Sequence, residues 1–240
     1  MLLRILSAEF LKIRRKWLWV LVVAGPLGVV ALQGVNFGLR YDYLVRGKQP
    51  GEVWDALIGD VSMLAMPALL MGLAIVASMS AGIEHQMNAW KLTLALPVSK
   101  RQVFAGKFVL TALLLLVSSA LLVPLSAAFG LTLGLGGGSI PWSDLLTDAF
   151  YPYLASMPFI ALQAWLSVTM ANQAVPLTVG IIGMIVSLFA GARFPDWVPY
   201  KWPQLAVSAN DPLYAVAAGV AFGIVVFAVG LTEFVRKDVK

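Results

Sequence analysis

Six long apolar runs alternate with short polar segments along the chain, at roughly 17–37, 60–83, 108–131, 149–171, 174–192 and 211–232. Each is near the ~20 residues a helix needs to cross a hydrocarbon layer of about 30 Å. The pattern predicts an all-α membrane protein with six transmembrane helices. Ahead of the first run, residues 1–16 (MLLRILSAEFLKIRRK) space apolar and basic positions close to a helical period. That spacing predicts an amphipathic helix lying in the membrane interface; a plain positively charged anchor is the simpler alternative. No internal repeat or dividing linker is visible, so residues 1–240 read as one membrane domain.

The connecting segments add detail. Residues 38–58 carry mixed charge with Gly47, Pro50 and Gly51, and read as a loop with a short surface helix. The run Gly136, Gly137, Gly138 predicts a flexible turn, and no Gly-Lys-Ser/Thr follows to make it a phosphate loop. Trp142, Tyr151 and Tyr153 suit an aromatic belt. The fourth and fifth runs meet at 170–176, where Asn172 and Gln173 supply the polarity and Pro176 falls in the first turn of helix five. Residues 193–210 are rich in Pro, Trp and Tyr and read as a segment resting on or dipping into the interface.

Charge orients this picture. With six crossings, both termini lie on one side. Arg4, Lys12, Arg14, Arg15, Lys16, Lys91, Lys100, Arg101, Lys107, Arg236, Lys237 and Lys240 share that side, which is 12 of the 17 basic residues. Arg40, Arg46, Lys48, Arg193 and Lys201 fall on the other. The positive-inside rule then predicts cytoplasmic termini in a cell membrane. The net charge of +5 flanks helices and meets lipid headgroups, so it gives no indication of nucleic-acid binding. The first apolar run follows a basic lead without a small-residue cleavage site, which predicts an uncleaved helix.

Candidate chemistry is sparse. Zero cysteines exclude disulfides and thiolate sites, and His85 is the single histidine. His85 with Glu84 makes two potential metal ligands with no third nearby. The chain carries no HExxH, GxSxG or Walker motif, and no catalytic, cofactor-binding or metal residues are assigned. The runs hold almost no ionisable residues of the kind an ion-coupled transporter displays at midplane. Energy for transport would therefore come from a partner.

The most informative stretch is 84–107, EHQMNAWKLTLALPVSKRQVFAGK. It begins as a continuation of helix two; Pro97 stops it, and Ser99 can cap a new helix at Lys100. Leu92, Leu94, Leu96 and Val98 form an apolar surface bordered by Lys91, Lys100, Arg101 and Lys107. Two readings stand side by side: a docking element for a cytoplasmic partner, or an inner loop packed on its own bundle.

The pattern Glu84, Trp90, Lys91, Leu96, Pro97, Val98, Ser99, Lys100, Arg101, Gly106, Lys107 resembles the first cytoplasmic connection of ABC-2 transporter permeases. AEFLKIRRKWLW, 8–19, is similar to the family's amphipathic elbow. Within the family, the NAWKLTLALPVSK wording looks most like bacitracin-resistance and lantibiotic-immunity permeases.

The resemblance implies the membrane subunit of an ATP-driven exporter, paired with a second permease of the same or a related chain. A separate ABC ATPase subunit would bind the ATP and Mg. The bend would be a coupling helix between helices two and three, at about 89–100, with Trp90, Lys91, Leu94, Leu96, Pro97, Val98, Ser99, Lys100 and Arg101 meeting the ATPase. Glu84 is expected to fasten this lever to the elbow through Lys12, Arg14 or Arg15. Met63, Met66, Met71, Gly180, Gly183 and Ser187 are candidates for a substrate or dimer face, with internal packing as the plainer alternative. An amphiphilic peptide fits so apolar a path, and removal of antimicrobial peptides is the expected role. The competing function is a membrane sensor or scaffold that recruits a cytoplasmic ATPase without moving cargo.

Overall fold

The computed structural model describes residues 2–14, 16–87, 98–135, 139–191, 193–208 and 212–236. The chain opens with α1 (Leu2–Ile13), followed by α2 (Leu18–Leu39) and one turn, α3 (Tyr41–Leu44). The longest helix is α4 (Pro50–Gln86), which starts within the segment expected as a loop. Pro50 at its first turn lacks only an N–H that would have no helical partner, and the Glu52 carboxylate accepts from the Gln49 backbone N–H at 3.1 Å. At 37 residues, about 55 Å at 1.5 Å per residue, α4 outruns the hydrocarbon layer.

Helix α5 (Lys100–Thr132) starts at a capping box. The Gln102 N–H donates to Ser99 Oγ at 3.3 Å, and the Ser99 N–H donates to the Gln102 side chain at 3.3 Å. There follow α6 (Trp142–Ala155), α7 (Met157–Thr169), α8 (Ala174–Leu188), a 3-10 turn at Pro199–Lys201, α9 (Trp202–Ser208) and α10 (Pro212–Arg236).

Helices α4 and α5 form the centre. α2 packs on both, α1 lies against α5, α7 and α8 lie against α4, and α10 lies mainly along α7. One apolar core joins Phe37, Trp54, Leu57, Val123 and Leu145 at the end away from α1. A second, at the α1 end, joins Ile13, Leu18, Val22, Val76, Leu110 and Leu114.

The expectation of six transmembrane helices is corrected. Among the described residues, four helices are long and apolar enough to cross a membrane: α2, α4, α5 and α10. Counting the bent pair α6–α7 as one span makes five. Two local causes separate the structure from the hydropathy pattern. The fourth run, 149–171, is no single helix; α6 and α7 meet at Ser156 with a 46° bend. Pro158 in the first turn of α7 cannot donate to Leu154 and its ring crowds that carbonyl, while Ser156 Oγ turns back to the Pro152 carbonyl at 2.7 Å. The fifth run, 174–192, yields only the 15 residues of α8, about 22 Å long.

Beyond α8 the chain folds back on itself. Ser187 Oγ donates to the Tyr200 carbonyl at 2.7 Å, Lys201 Nζ to Asp196 at 2.6 Å, and Trp202 Nε1 to the Asp196 carbonyl at 2.9 Å. Trp202 and Ala206 then bury against Ala155 and Ala215, closing α9 onto α6 and α10. Helix α10 reaches the bend because Gly219 faces it. A Cβ there would lie 2.6 Å from the Ala155 Cα, so only glycine permits this approach.

Candidate functional site

At the end of the bundle where α4 stops and α5 starts, three helices bring four charged side chains together. Glu9 and Lys12 stand three residues apart on one face of α1, Glu84 lies in the last turn of α4, and Lys107 in the second turn of α5. Glu84 and Lys107 are each 2% exposed and Glu9 is 4% exposed. Charges this far from water persist only when paired and hydrogen-bonded.

The pairing is extensive. Lys107 Nζ donates to Glu84 Oε1 at 2.7 Å and Oε2 at 2.8 Å, and to the Ser80 carbonyl at 2.8 Å. It also forms an ion pair with Glu9 Oε2 at 2.6 Å. Lys12 Nζ donates to Glu84 Oε1 at 2.9 Å and to Glu9 Oε1. Two carboxylates and two ammonium groups balance. Burial opposes the charge on Lys12, and the Glu9 and Glu84 carboxylates outweigh it, holding the lysine above its ordinary pKa of 10.5.

Apolar contacts set α1 in place around this junction. Ile13 buries beside Leu18, Val22, Leu110 and Leu114, with Leu6 and Phe10 packed against the same core. The Phe10 and Trp19 rings stack with centroids 6.1 Å apart. Gly106 lets α1 close on α5, since a Cβ there would meet Ile5 Cγ2 at 2.9 Å. Further ties run from the same end to the other helices. His85 Nε2 lies 3.1 Å from the Ser167 carbonyl, Trp165 Nε1 donates to Glu233 at 3.1 Å, and Phe104 packs on Phe227 and Phe234.

The residues expected from the sequence divide as follows. Trp90, Lys91, Leu94, Leu96 and Pro97 lie outside the described residues, as does Arg15. Val98 packs beside Ala81, Val103 and Phe234, and Ser99 caps α5. Lys100 Nζ reaches the Val235 carbonyl at 3.4 Å, whereas Arg101 is exposed. Glu84 meets Lys12, while Arg14 is exposed away from the junction.

The six candidates for a substrate or dimer face share no single surface. Met63 is 75% exposed, Met66 is buried, and Met71 lines a cleft between α2, α4 and α5. Gly180 and Gly183 border a cavity of about 20 Å³ between α4, α7 and α8, and Ser187 is buried against Tyr200. Glu9 and Lys107 were not among the ion-pairing candidates. The signal for both was present: each is a charge at a position where its helix otherwise buries apolar residues.

Among the described residues no three His, Cys, Asp or Glu side chains are placed to hold a metal ion. The arrangement offers a mechanical connection between α1, α4 and α5.

A multi-span, all-helical membrane protein whose first helix is tied by ion pairs to the last turn of α4 and the early turns of α5 is the class this architecture defines. Residues 5–187 match the family described as ABC-2 family transporter protein, and the chain belongs to that family, as a permease domain covering most of its length. No curated protein matches the chain. Membership implies association with an ABC ATPase.

Proposed function

We propose that this chain is the membrane subunit of an ATP-driven exporter that removes amphiphiles, antimicrobial peptides in particular, from the membrane of a bacterial cell, in the manner of bacitracin-resistance and lantibiotic-immunity permeases. It works with a separate ABC ATPase and a second permease subunit. The end bearing the ionic junction faces the cytoplasm, in keeping with the Lys/Arg asymmetry.

The observation that carries this reading is the junction itself. Glu84 stands just before the 88–97 segment and Lys107 just after it, and both are bonded to α1. A push on that segment would reach α4 and α5 together, with α1 moving as part of the same body. A lever transmits force only if its anchorage is stiff. Buried, charge-assisted hydrogen bonds are among the stiffest that side chains offer. Exposed Arg101 and the apolar Leu94 and Leu96 form the ATPase-facing surface, and Lys100 braces α5 against the end of α10.

The test is co-purification of the tagged full chain from its native host in mild detergent, beside a Leu94→Asp/Leu96→Asp variant and an Arg101→Glu variant. The expected result is a nucleotide-binding subunit with wild type that is depleted at least severalfold with either variant. Wild type emerging without any ATPase contradicts the exporter reading. An ATPase recovered without ATP-dependent movement of an amphiphile favours a sensor or scaffold instead.

A further inference from the structure

Two adjacent cavities inside the bundle define a feature separate from the ionic junction. The larger is a cleft of about 300 Å³ between α2, α4 and α5, at the lower end of small-molecule site volumes, which are roughly 300–1,000 Å³. Its walls are apolar, with Pro26, Met71, Ile75 and Leu115 among them. The smaller, about 30 Å³, lies between α4, α5 and α6 and is lined by Ser62, Ser119 and Asp148. Ala65, Leu69, Ser119 and Leu122 belong to both walls, so the apolar cleft and the polar nook are neighbours with a shared wall of these four side chains.

The polar groups of the nook are unusual for their surroundings. Ser119 is 7% exposed, and its hydroxyl makes none of the hydrogen bonds found among the described residues. Asp148 pairs with no lysine or arginine among the described residues, and Asp144 stands one helical turn before it on the same face. Burial and a second acid one turn away disfavour an unpaired charge on Asp148, so a cation placed beside it would stabilise the carboxylate, whereas a phosphate would not. The nook holds one group about the size of a water or an ammonium.

The depth profile agrees. Ser62 and Asp148 sit toward the end of the bundle away from α1, while Gly72 and Ile75 lie one or more turns farther along α4 toward its middle. An amphiphile lying in that leaflet has the same order, headgroup outside and tail toward the bilayer centre.

We infer that the adjacent cleft and nook together bind a single-chain cationic amphiphile, the shared Leu69 and Leu122 side chains moving aside, its amine against Asp148 with Ser119 and Ser62 beside it, and its hydrocarbon tail between α2, α4 and α5. This inference rests on the exporter reading for its purpose, and it names the chemical class of the cargo. A neutral alcohol of equal chain length would fill the cleft but leave the carboxylate uncompensated. A phospholipid would bring a phosphate against two acids.

The experiment uses the full-length chain in phosphatidylcholine nanodiscs and a long-chain alkylamine with a photoreactive group at the tail end. Labelled peptides are mapped by mass spectrometry, with dodecylamine, dodecanol and phosphatidylethanolamine as competitors. Labelling should concentrate on α4 and α5 around Gly72 and Leu115. Dodecylamine should compete at about one-tenth of the dodecanol concentration or less, the difference a charge-assisted hydrogen bond provides. Asp148→Asn should remove that preference while leaving competition by the alcohol unchanged.

Gly72→Leu should abolish labelling by filling the cleft. A Cβ there meets nothing closer than Leu115 at 3.9 Å, so the side chain can leave the backbone without a clash and extend into the cleft. Should Asp148→Asn not fold, the amine-to-alcohol ratio of wild type and the Gly72→Leu variant still decide. Equal competition by amine and alcohol, a preference retained in Asp148→Asn, labelling indifferent to Gly72→Leu, or equally strong competition by phosphatidylethanolamine would each overturn the inference. Recovery of the ATPase partner is read separately. An ATPase without amine selectivity removes this site alone, and amine selectivity without an ATPase removes the exporter reading and keeps the site.

Discussion

Lys107 shows how much one side chain can carry. Its ammonium joins Glu84, Glu9 and the Ser80 carbonyl within 2.8 Å and is almost wholly buried. Lys107→Met should cost about 3–5 kcal/mol, because two carboxylates then remain buried with Lys12 alone. Glu84→Gln combined with Lys107→Met removes one charge of each sign and should cost clearly less than the two single changes added together. Thermal unfolding in detergent measures both; additive costs would dissociate the two residues.

Lys12 belongs to the same network, but its side chain is 34% exposed and its pairs are partly screened by water. Its pKa is raised on folding. Its stabilisation is therefore fully present below the unfolded value of 10.5 and is lost only as pH rises through the higher folded value. Wild type and Lys12→Met should show a constant difference in unfolding midpoint from about pH 6 to pH 9, narrowing only in more alkaline buffer. A difference that collapses near neutrality would contradict the assignment. The expectation that Glu84 pairs with a basic residue of α1 came from the family resemblance, which left three partners open. Which of Lys12, Arg14 and Arg15 reaches Glu84 depends on the rotation of α1 about its axis. Only packing of Ile5, Phe10 and Ile13 fixes that rotation.

At the scale of elements, the helix break at Ser156 and the close seat of α10 are one design. The 46° bend presents the Ala155 backbone, and Gly219 accepts it without a side chain in the way. Gly219→Leu should destabilise by roughly 1–3 kcal/mol or more through overpacking. Gly28, where a Cβ would meet nothing within 4 Å, serves as the control. Gly28→Ala should be neutral or slightly stabilising. Equal behaviour of the two variants would place the α10 contact elsewhere.

The sequence pattern showed apolar content well and continuity poorly. Hydropathy passes through Pro152, Ser156 and Pro158 without a dip because all three sit among apolar neighbours. The shortness of α8 was hidden for a related reason. Ala190 and Gly191 extend the apolar run beyond the last i to i−4 bond of α8, from the Phe189 N–H to the Ile185 carbonyl, and Ala190 is fully buried. By contrast, Ser99 marked the start of α5 by chemistry that acts within four residues, and such signals survive tertiary context.

At the scale of the whole molecule, the described beginning and end of the chain lie at one end of the bundle. Lys12 reaches Glu84, and Lys100 reaches Val235. With the junction and the end of α10 gathered there, α1, α4, α5 and α10 are mechanically connected, while the cleft between α2, α4 and α5 opens farther along α4. The proposed cycle needs this connection to transmit force from the ATPase surface to the cleft.

Comparing ATP hydrolysis with ATP-dependent transport of an alkylamine in reconstituted wild-type and Glu84→Gln/Lys107→Met complexes tests that claim most directly. The account predicts that the variant complex assembles and hydrolyses ATP while transport per ATP falls by about tenfold or more, as expected when a coupling worth ~1.4 kcal/mol or more is lost. Transport per ATP equal to wild type in a fully assembled variant would contradict the role given to the junction.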